Sequence, residues 1–279
     1  LKTLFFGTSA FAVPSLHVLA ARTNLAGVVT QPDRPSGRGQ KLQPTPVKSA
    51  ALGLGVRVYE PVKLKAFARD LGEQAFDLFA LASYGRILPA ELLALPKLGA
   101  LNVHPSLLPK YRGATPIQSA LRDGETHTGV SIMLMDAGMD TGDIVLQEVA
   151  DIEPDDTYGT LHDRLAFYGG ELLDVALELA EKGPLPRHAQ SGEPSVTRPL
   201  SKDDLAIDPS WPAQRVVNVV RALSPSPCAR LTVDGETLKI LRAHVGNDGG
   251  LCIDDVVAPN RGKMSYDAYL QSRRDRESP

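Results

Sequence analysis

Leu101-Asn102-Val103-His104-Pro105-Ser106-Leu107-Leu108-Pro109-Lys110-Tyr111-Arg112-Gly113-Ala114-Thr115-Pro116 starts as an apolar approach, turns polar, and then becomes a loop punctuated by prolines. Ala100 to Val103 has the character of a short buried strand, and alternation after Leu101 puts Asn102 and His104 on one side at its end. Pro105 cannot donate to a central ladder, so the chain leaves the sheet there. His104 is thereby placed at the carboxyl edge, where open α/β sheets put their ligands.

Upstream, the pattern alternates strand and helix. An apolar run Thr3–Gly7 breaks at Gly7-Thr8-Ser9 and is followed by a helical pattern from Pro14 to Ala21, a strand Leu25–Thr30 and a helix Val47–Leu54. Strand 56–59, helix 64–74 and strand 77–82 continue it, which predicts a Rossmann-like, mostly parallel sheet of α/β class with helices on both faces. Gly7 is followed by Thr8-Ser9-Ala10-Phe11, without the second and third glycines of a dinucleotide fingerprint. The turn is therefore read as helix–sheet packing, with backbone amides left for a ligand.

Between the second strand and the next helix, Gln31 to Pro46 has no hydrophobic period and carries Asp33, Arg34, Arg38 and Lys41 among prolines and glycines. Such a loop is either solvated and flexible or a cationic finger that follows a phosphate backbone. Composition alone favours the first reading. Ile87 and Leu88 stand in a loop beside the Asn102/His104 strand end, where they could line a pocket for a flat heterocycle or simply pack into the core.

Downstream, Pro116–Arg122 reads as a helix and Gly129–Leu134 as a strand with Val130, Ile132 and Leu134 on one face. A glycine-rich turn with Asp136, Asp140 and Asp143 leads into a strand Ile144–Val149. Turn formation alone explains aspartates there, whereas one of them aimed back at His104 would make a catalytic pair. A long helix, Tyr158–Lys182, follows. Gly183–Pro199 is rich in Pro, Gly and Ser, so the expected organisation is a domain over 1–186, a linker over 187–204 and a second domain over 205–279. Ser201 with Asp204 resembles a capping box and Trp211–Leu223 an amphipathic helix. The pattern then turns to β, which predicts a small C-terminal β-barrel, OB-like domain.

With 279 residues and a net charge of −3, the chain can bury a sizeable core and carries no global basic signature for nucleic acid or membrane. Two cysteines without CxxC spacing point to a reducing, cytoplasmic setting and away from a zinc site, and no apolar run is long enough to span a membrane. One histidine with nearby aspartates gives too few ligands at recognisable spacing for a metal.

A neutral imidazole needs a group that orients it, and a carboxylate does so; an asparagine amide can hold an oxyanion. Asn102, His104 and Asp140 thus suit attack of an amine on a carbonyl carbon. Asn102 and His104 would hold the oxyanion, and Asp140 would keep His104 protonated and help remove the amine proton. No GxSxG elbow, Walker loop or HExxH motif is present, so direct transfer between two bound substrates is favoured over a covalent intermediate.

Asn102-x-His104-Pro105-Ser106-Leu107-Leu108-Pro109-x-Tyr111-Arg112-Gly113, followed by Asp136-x-Gly138-x-Asp140-Thr141-Gly142-Asp143, closely resembles the signature of the 10-formyltetrahydrofolate-dependent formyltransferases. The resemblance implies that Asn102, His104 and Asp140 are catalytic and that Ser106, Leu107, Leu108 and Pro109 help bind the folate. It also likens the Ile87/Leu88 loop to the family's pterin pocket. Gln31-Pro32-Asp33-Arg34-Pro35-x-Gly37-Arg38-Gly39 and Pro44-x-Pro46-Val47-Lys48 look like the inserted loop of members that act on methionyl initiator tRNA. This reverses the reading from composition: Arg38, with Arg34 and Lys41, is implied to meet the tRNA. A monomer that needs 10-formyltetrahydrofolate and no metal is expected. A formyltransferase acting on an amino sugar or on glycinamide ribotide is the alternative. The resemblance weakens in the β domain, where Ser226 stands in place of the family's usual Trp between two prolines, leaving a tRNA-binding role for that domain the weakest implication.

Overall fold

The computed structural model describes residues 1–36, 41–72 and 74–277. The first strands and helices are β1 (Lys2–Gly7), α1 (Val13–Arg22), β2 (Asn24–Val29), β3 (Arg34–Ser36), β4 (Lys41–Gln43), α2 (Pro46–Gly53), β5 (Val58–Tyr59), α3 (Leu64–Leu71) and β6 (Leu78–Ala82). Then come α4 (Ala90–Leu93), β7 (Ala100–His104), β8 (Arg112–Gly113), α5 (Pro116–Asp123), β9 (His127–Leu134), β10 (Ile144–Asp151), α6 (Tyr158–Lys182) and β11 (Val196–Thr197). The chain closes with α7 (Ala213–Leu223), β12 (Ala229–Val233), β13 (Glu236–Val245), β14 (Leu251–Val257), β15 (Lys263–Ser265) and α8 (Tyr266–Glu277).

By mutual packing the residues divide into two compact units: 1–114, 129–150 and 163–196 form the first, and 115–128, 151–162 and 197–279 the second. The stretch 187–204, read from sequence as a linker, is shared between them.

In the first unit, strands pair in the order β10-β9-β7-β6-β1-β2-β5. β1 lies parallel to both β2 and β6, and β6 is parallel to β7, whereas β7 and β9 run antiparallel. Strands in such a sheet are covered on both faces and need continuous apolar sequence, which is why all five residues of Leu78–Ala82 are buried. Phe6, Phe76 and Phe79 pack edge to face or tilted within one core with Leu4, Leu64, Phe67 and Leu92. From β1 the chain goes to β2 on one side and later to β6 on the other. This reversal opens a crevice at the carboxyl ends, the usual place for a ligand in an open α/β sheet.

The glycine turn after β1 differs from its expected form. A Cβ on Gly7 would lie 2.8 Å from Phe5 and 2.9 Å from Ala12, which bears out the packing role. Its amides are not all left for a ligand, however. Thr8 N donates to Ser83 O at 3.2 Å, Thr8 Oγ1 to Tyr84 O at 2.9 Å and Ser9 Oγ to Ser83 Oγ at 2.7 Å, which fastens the turn to the loop after β6.

Within the 31–46 segment, the described residues 31–36 and 41–46 carry more structure than its composition predicts. β3 and β4 form an antiparallel hairpin with Arg34 opposite Gln43 and Ser36 opposite Lys41. Its base is fixed by Lys48, whose ammonium binds both carboxylate oxygens of Asp33 and one of Glu60, all at 2.9 Å. These two carboxylates raise the Lys48 pKa above its ordinary value.

The second unit has an antiparallel sheet in the order β12-β13-β14-β15. Leu231, Leu238, Ile240 and Val256 from the sheet and Val216, Val220 and Leu223 from α7 share one apolar core, closed by Tyr269 of α8. Only half of the expected capping box forms: Asp204 accepts from Ser201 N and Ser201 Oγ, both at 2.7 Å, so the hydroxyl donates to the carboxylate instead of accepting from Asp204 N, and the short helical turn Asp203–Leu205 is capped at Lys202. Asp204 also takes a two-pronged contact from Arg198 at 2.7 and 2.8 Å. The guanidinium, aided by the Ser201 bonds, holds its carboxyl well below the usual carboxylate range. No helix among the described residues is long and apolar enough to cross a membrane.

Candidate active site

β7 ends as its sequence requires. Leu101 and Val103 are buried in the sheet, while Asn102 and His104 emerge together at the carboxyl edge. Asp140 comes from the turn between β9 and β10 and meets both. Asn102 Nδ2 donates to Asp140 Oδ1 at 3.3 Å, and His104 Nδ1 lies 3.6 Å from Asp140 Oδ2. Gly113 N donates to the same Oδ2 at 2.8 Å. A carboxylate with an amide, a backbone N–H and an imidazole around it is held in one orientation.

His104 is 4% exposed and its Nε2 faces the carbonyl of Tyr111 at 2.9 Å. A carbonyl can only accept, so Nε2 carries the hydrogen in this contact. Nδ1 then faces a carboxylate. The 3.6 Å approach is longer than a formed hydrogen bond, so a hydrogen carried on Nδ1 would be free to bond elsewhere. Such a ring, beside the Asn102 amide, can meet negative charge that develops on a carbonyl oxygen.

The other two aspartates of the turn have different places. Asp136 makes an Asx-type turn, accepting from Gly138 N at 2.9 Å and Thr141 Oγ1 at 2.7 Å. Asp143 passes the chain into β10, its carbonyl accepting from Leu134 N at 2.8 Å. Turn formation and a pairing with His104 were both open from sequence; Asp136 takes the first and Asp140 makes the second.

Ser106 to Pro109 is braced from beneath. Ser131 Oγ donates to Ser106 O at 2.6 Å and accepts from Leu108 N at 3.1 Å, and Gln147 Nε2 donates to Leu108 O at 3.0 Å and to Ser131 Oγ at 2.8 Å. Ser106 Oγ donates to Lys110 O at 2.6 Å, and the Leu108 side chain is buried with Met133 and Ile144. Leu107 and Pro109 are half-buried. The structure separates Ile87 from Leu88: Leu88 is 4% exposed in the main core, whereas Ile87 is 83% exposed. Only Ile87 could therefore offer its whole side chain to a ligand.

Of the three cations expected to meet nucleic acid, Arg34 lies in β3 with its guanidinium on Gln31 Oε1, and Lys41 lies in β4. Arg38 lies outside the described residues.

Sequence reading missed Ser131, Gln147 and Gln190. Ser131 had a signal, as the polar residue on the face of β9 opposite Val130 and Ile132. Gln190 had none, because it comes from the stretch read as linker. Its Nε2 donates to Asp140 O and Gly142 O, both at 2.8 Å, and its Oε1 accepts from Arg112 Nε at 3.1 Å and Nη2 at 2.7 Å. Among the described residues, no group of three or more His, Cys, Asp or Glu is placed to hold a metal ion.

A sheet-edge amide, imidazole and carboxylate on a Rossmann-like unit make a candidate site for acyl transfer, and comparison with known proteins shows the family. Residues 2–177 match the Formyl transferase family and residues 199–272 the Formyl transferase C-terminal domain. The chain belongs to the formyl transferase family, among its methionyl-tRNA formyltransferases. It is 46% identical to the methionyl-tRNA formyltransferase of Pelotomaculum thermopropionicum, over 91% of this chain and 82% of the relative. It is 42% identical to that of Syntrophus aciditrophicus, over 98% of this chain and 96% of the relative.

Among solved structures, a methionyl-tRNA formyltransferase from Clostridium thermocellum superposes with a TM-score of 0.62 at 17% identity, over 94% of this chain and all 100% of the other. An N-formyltransferase from Helicobacter canadensis, in complex with folinic acid and dTDP-3-aminofucose, gives a TM-score of 0.66 at 22% identity, over 88% of each chain. These two share the fold.

Proposed function

We propose that Asn102, His104 and Asp140 transfer the formyl group of 10-formyltetrahydrofolate to the α-amine of methionine esterified to initiator tRNA. The observation that carries this is the meeting of all three side chains at the end of β7. The amine nitrogen attacks the formyl carbon, the carbonyl oxygen takes the electron pair, and Asn102 with the Nδ1 edge of His104 stabilises that oxyanion. The amine proton leaves by way of Asp140. The bond from the formyl carbon to the folate nitrogen then breaks as the carbonyl re-forms, and the folate nitrogen takes up a proton. No covalent link to the protein is needed.

The braced Ser106–Pro109 loop, lying beside His104 in sequence, supports its role as a folate wall, with Ile87 as an outer contact. Support for a tRNA substrate comes from the paired strands β3 and β4, to which Arg34 and Lys41 belong, and from the names of the relatives. In the second unit, Arg230, Lys239 and Lys263 are exposed on one transverse row of the sheet, in register through Val257. That row suits phosphate contacts.

Formylation of purified methionyl initiator tRNA tests the reading. His104→Ala and Asp140→Ala should each lose activity by two orders of magnitude or more, on the order of general acid–base contributions; unchanged activity in both would overturn it. Arg38→Ala should impair transfer to tRNA and leave transfer to a small amine intact. No loss on either would favour an amino-sugar or glycinamide ribotide substrate, which should not need Arg38.

A further inference from the structure

We propose that Gln190 is a positioning residue for Asp140, supplied by a segment that lies beyond the matched transferase region. The inference rests on the catalytic reading of Asp140 and His104. The segment is anchored on both sides of Gln190. His188 exchanges backbone hydrogen bonds with Ile144 at 2.8 and 3.0 Å, and further on Arg112 N donates to Ser195 O at 2.9 Å while Tyr111 N donates to Ser195 Oγ at 2.8 Å. Gln190 is thus held between the start of β10 and the loop after β7.

Its amide bridges two functional segments. At one end are two carbonyls, Asp140 O and Gly142 O, which only accept; at the other is the Arg112 guanidinium, which only donates. The amide orientation is therefore set by its partners, and all of its polar capacity on Nε2 is used. Asp140 needs such support. Its φ of 54° is left-handed, a conformation costly for a residue with a Cβ and kept only where surroundings enforce it. Rotation of the peptides flanking Asp140 would swing the carboxylate away from Asn102, His104 and Gly113. Gln190 pins the carbonyls at Asp140 and Gly142. Through Arg112 it ties that turn to the Tyr111–Gly113 strip, which holds His104 Nε2 and Asp140 Oδ2. A glutamate is the same size and keeps the Arg112 contact, but it presents an acceptor to two acceptors.

The test is a kinetic cycle on the full chain with purified methionyl initiator tRNA, using Gln190→Glu, Gln190→Leu, Asp140→Asn and the double variant Gln190→Leu/Asp140→Asn. Both Gln190 variants should lower kcat roughly 10- to 100-fold, with KM for folate and tRNA within about threefold. The pH profile of kcat/KM should also shift in Gln190→Glu. In the Asp140→Asn background, Gln190→Leu should cost little more in kcat, because the group it positions is already disabled. A wild-type kcat and pH profile in Gln190→Glu, a loss confined to KM, or equal losses with and without Asp140 would each overturn the proposal. Full activity of Asp140→Asn would instead overturn the catalytic reading beneath it. Should either Gln190 variant fail to fold, Arg112→Lys removes the two-pronged contact to Oε1 and should lower kcat in the same direction; an unchanged kcat there counts against the proposal.

Discussion

Asp140 Oδ2 lies 3.6 Å from His104 Nδ1, although the two residues are separated by a loop, a helix and a whole strand of the sheet. That contact joins the end of β7 to the turn after β9, and the proposed chemistry depends on it.

Asp140→Asn keeps the size of the side chain and removes its charge. The Gly113 N–H and the imidazole would both lose a carboxylate partner. kcat should fall by about 10²- to 10⁴-fold, the usual worth of a positioned acid–base group, with little change in KM. Steady-state kinetics on methionyl initiator tRNA measures this, and a kcat within threefold of the wild type would contradict it.

Ser131 is fully buried and serves two backbone groups of the Ser106–Leu108 loop as well as Gln147. Ser131→Ala leaves these partners unsatisfied, at about 1–3 kcal/mol. Folate affinity should drop by roughly one order of magnitude and the urea midpoint should fall, read by folate titration and chemical melts. A lower stability with unchanged folate affinity would separate the loop from the folate.

Gly142 admits no side chain. A Cβ there would sit 1.7 Å from Leu134 O, a backbone atom that cannot step aside. Gly142→Ala should therefore push the Asp140 turn out of place, destabilise the protein by about 1–3 kcal/mol through overpacking, and abolish most activity. Thermal melts and the formylation assay give the two readouts, and normal behaviour in both would show that the turn can re-form elsewhere.

Asp204 has its carboxyl held below the ordinary value of 3.8 by Arg198, and its folded value is thus lower than its unfolded one. Such a group contributes stability above the unfolded value, and the contribution is lost as pH falls below it toward the folded value. Asp204→Asn should lower the melting temperature at pH 7 and flatten its fall between pH 4 and pH 2, compared by calorimetry across that range. An unchanged slope would mean that other carboxylates govern acid unfolding.

Much of the fold was legible because its periods are strong. Leu78–Ala82 and the apolar part of β1 could only be buried strands, and Gly7 without further glycines spoke against a dinucleotide turn. The 31–46 hairpin was not legible, since three-residue strands carry no period and their register depends on the Lys48–Asp33–Glu60 cluster at the base. Ile87 and Leu88 looked alike in sequence. The direction of the backbone around Ser83 and Gly85, both at positive φ, precedes the point where one side chain is buried and the other exposed.

The sequence by itself determined the class of fold, the presence of Asn102 and His104 at a strand end, and the family, because these rest on local periodicity and on residues close together in the chain. The tertiary structure decided which of three aspartates faces His104, which buried polar groups brace the Ser106–Pro109 loop, and that Gln190 bonds the Asp140 turn. Those outcomes depend on hydrogen bonds between segments far apart in sequence, whose partners are specified only when the sheet has brought the carbonyls, amides and carboxylates within about 3 Å of one another.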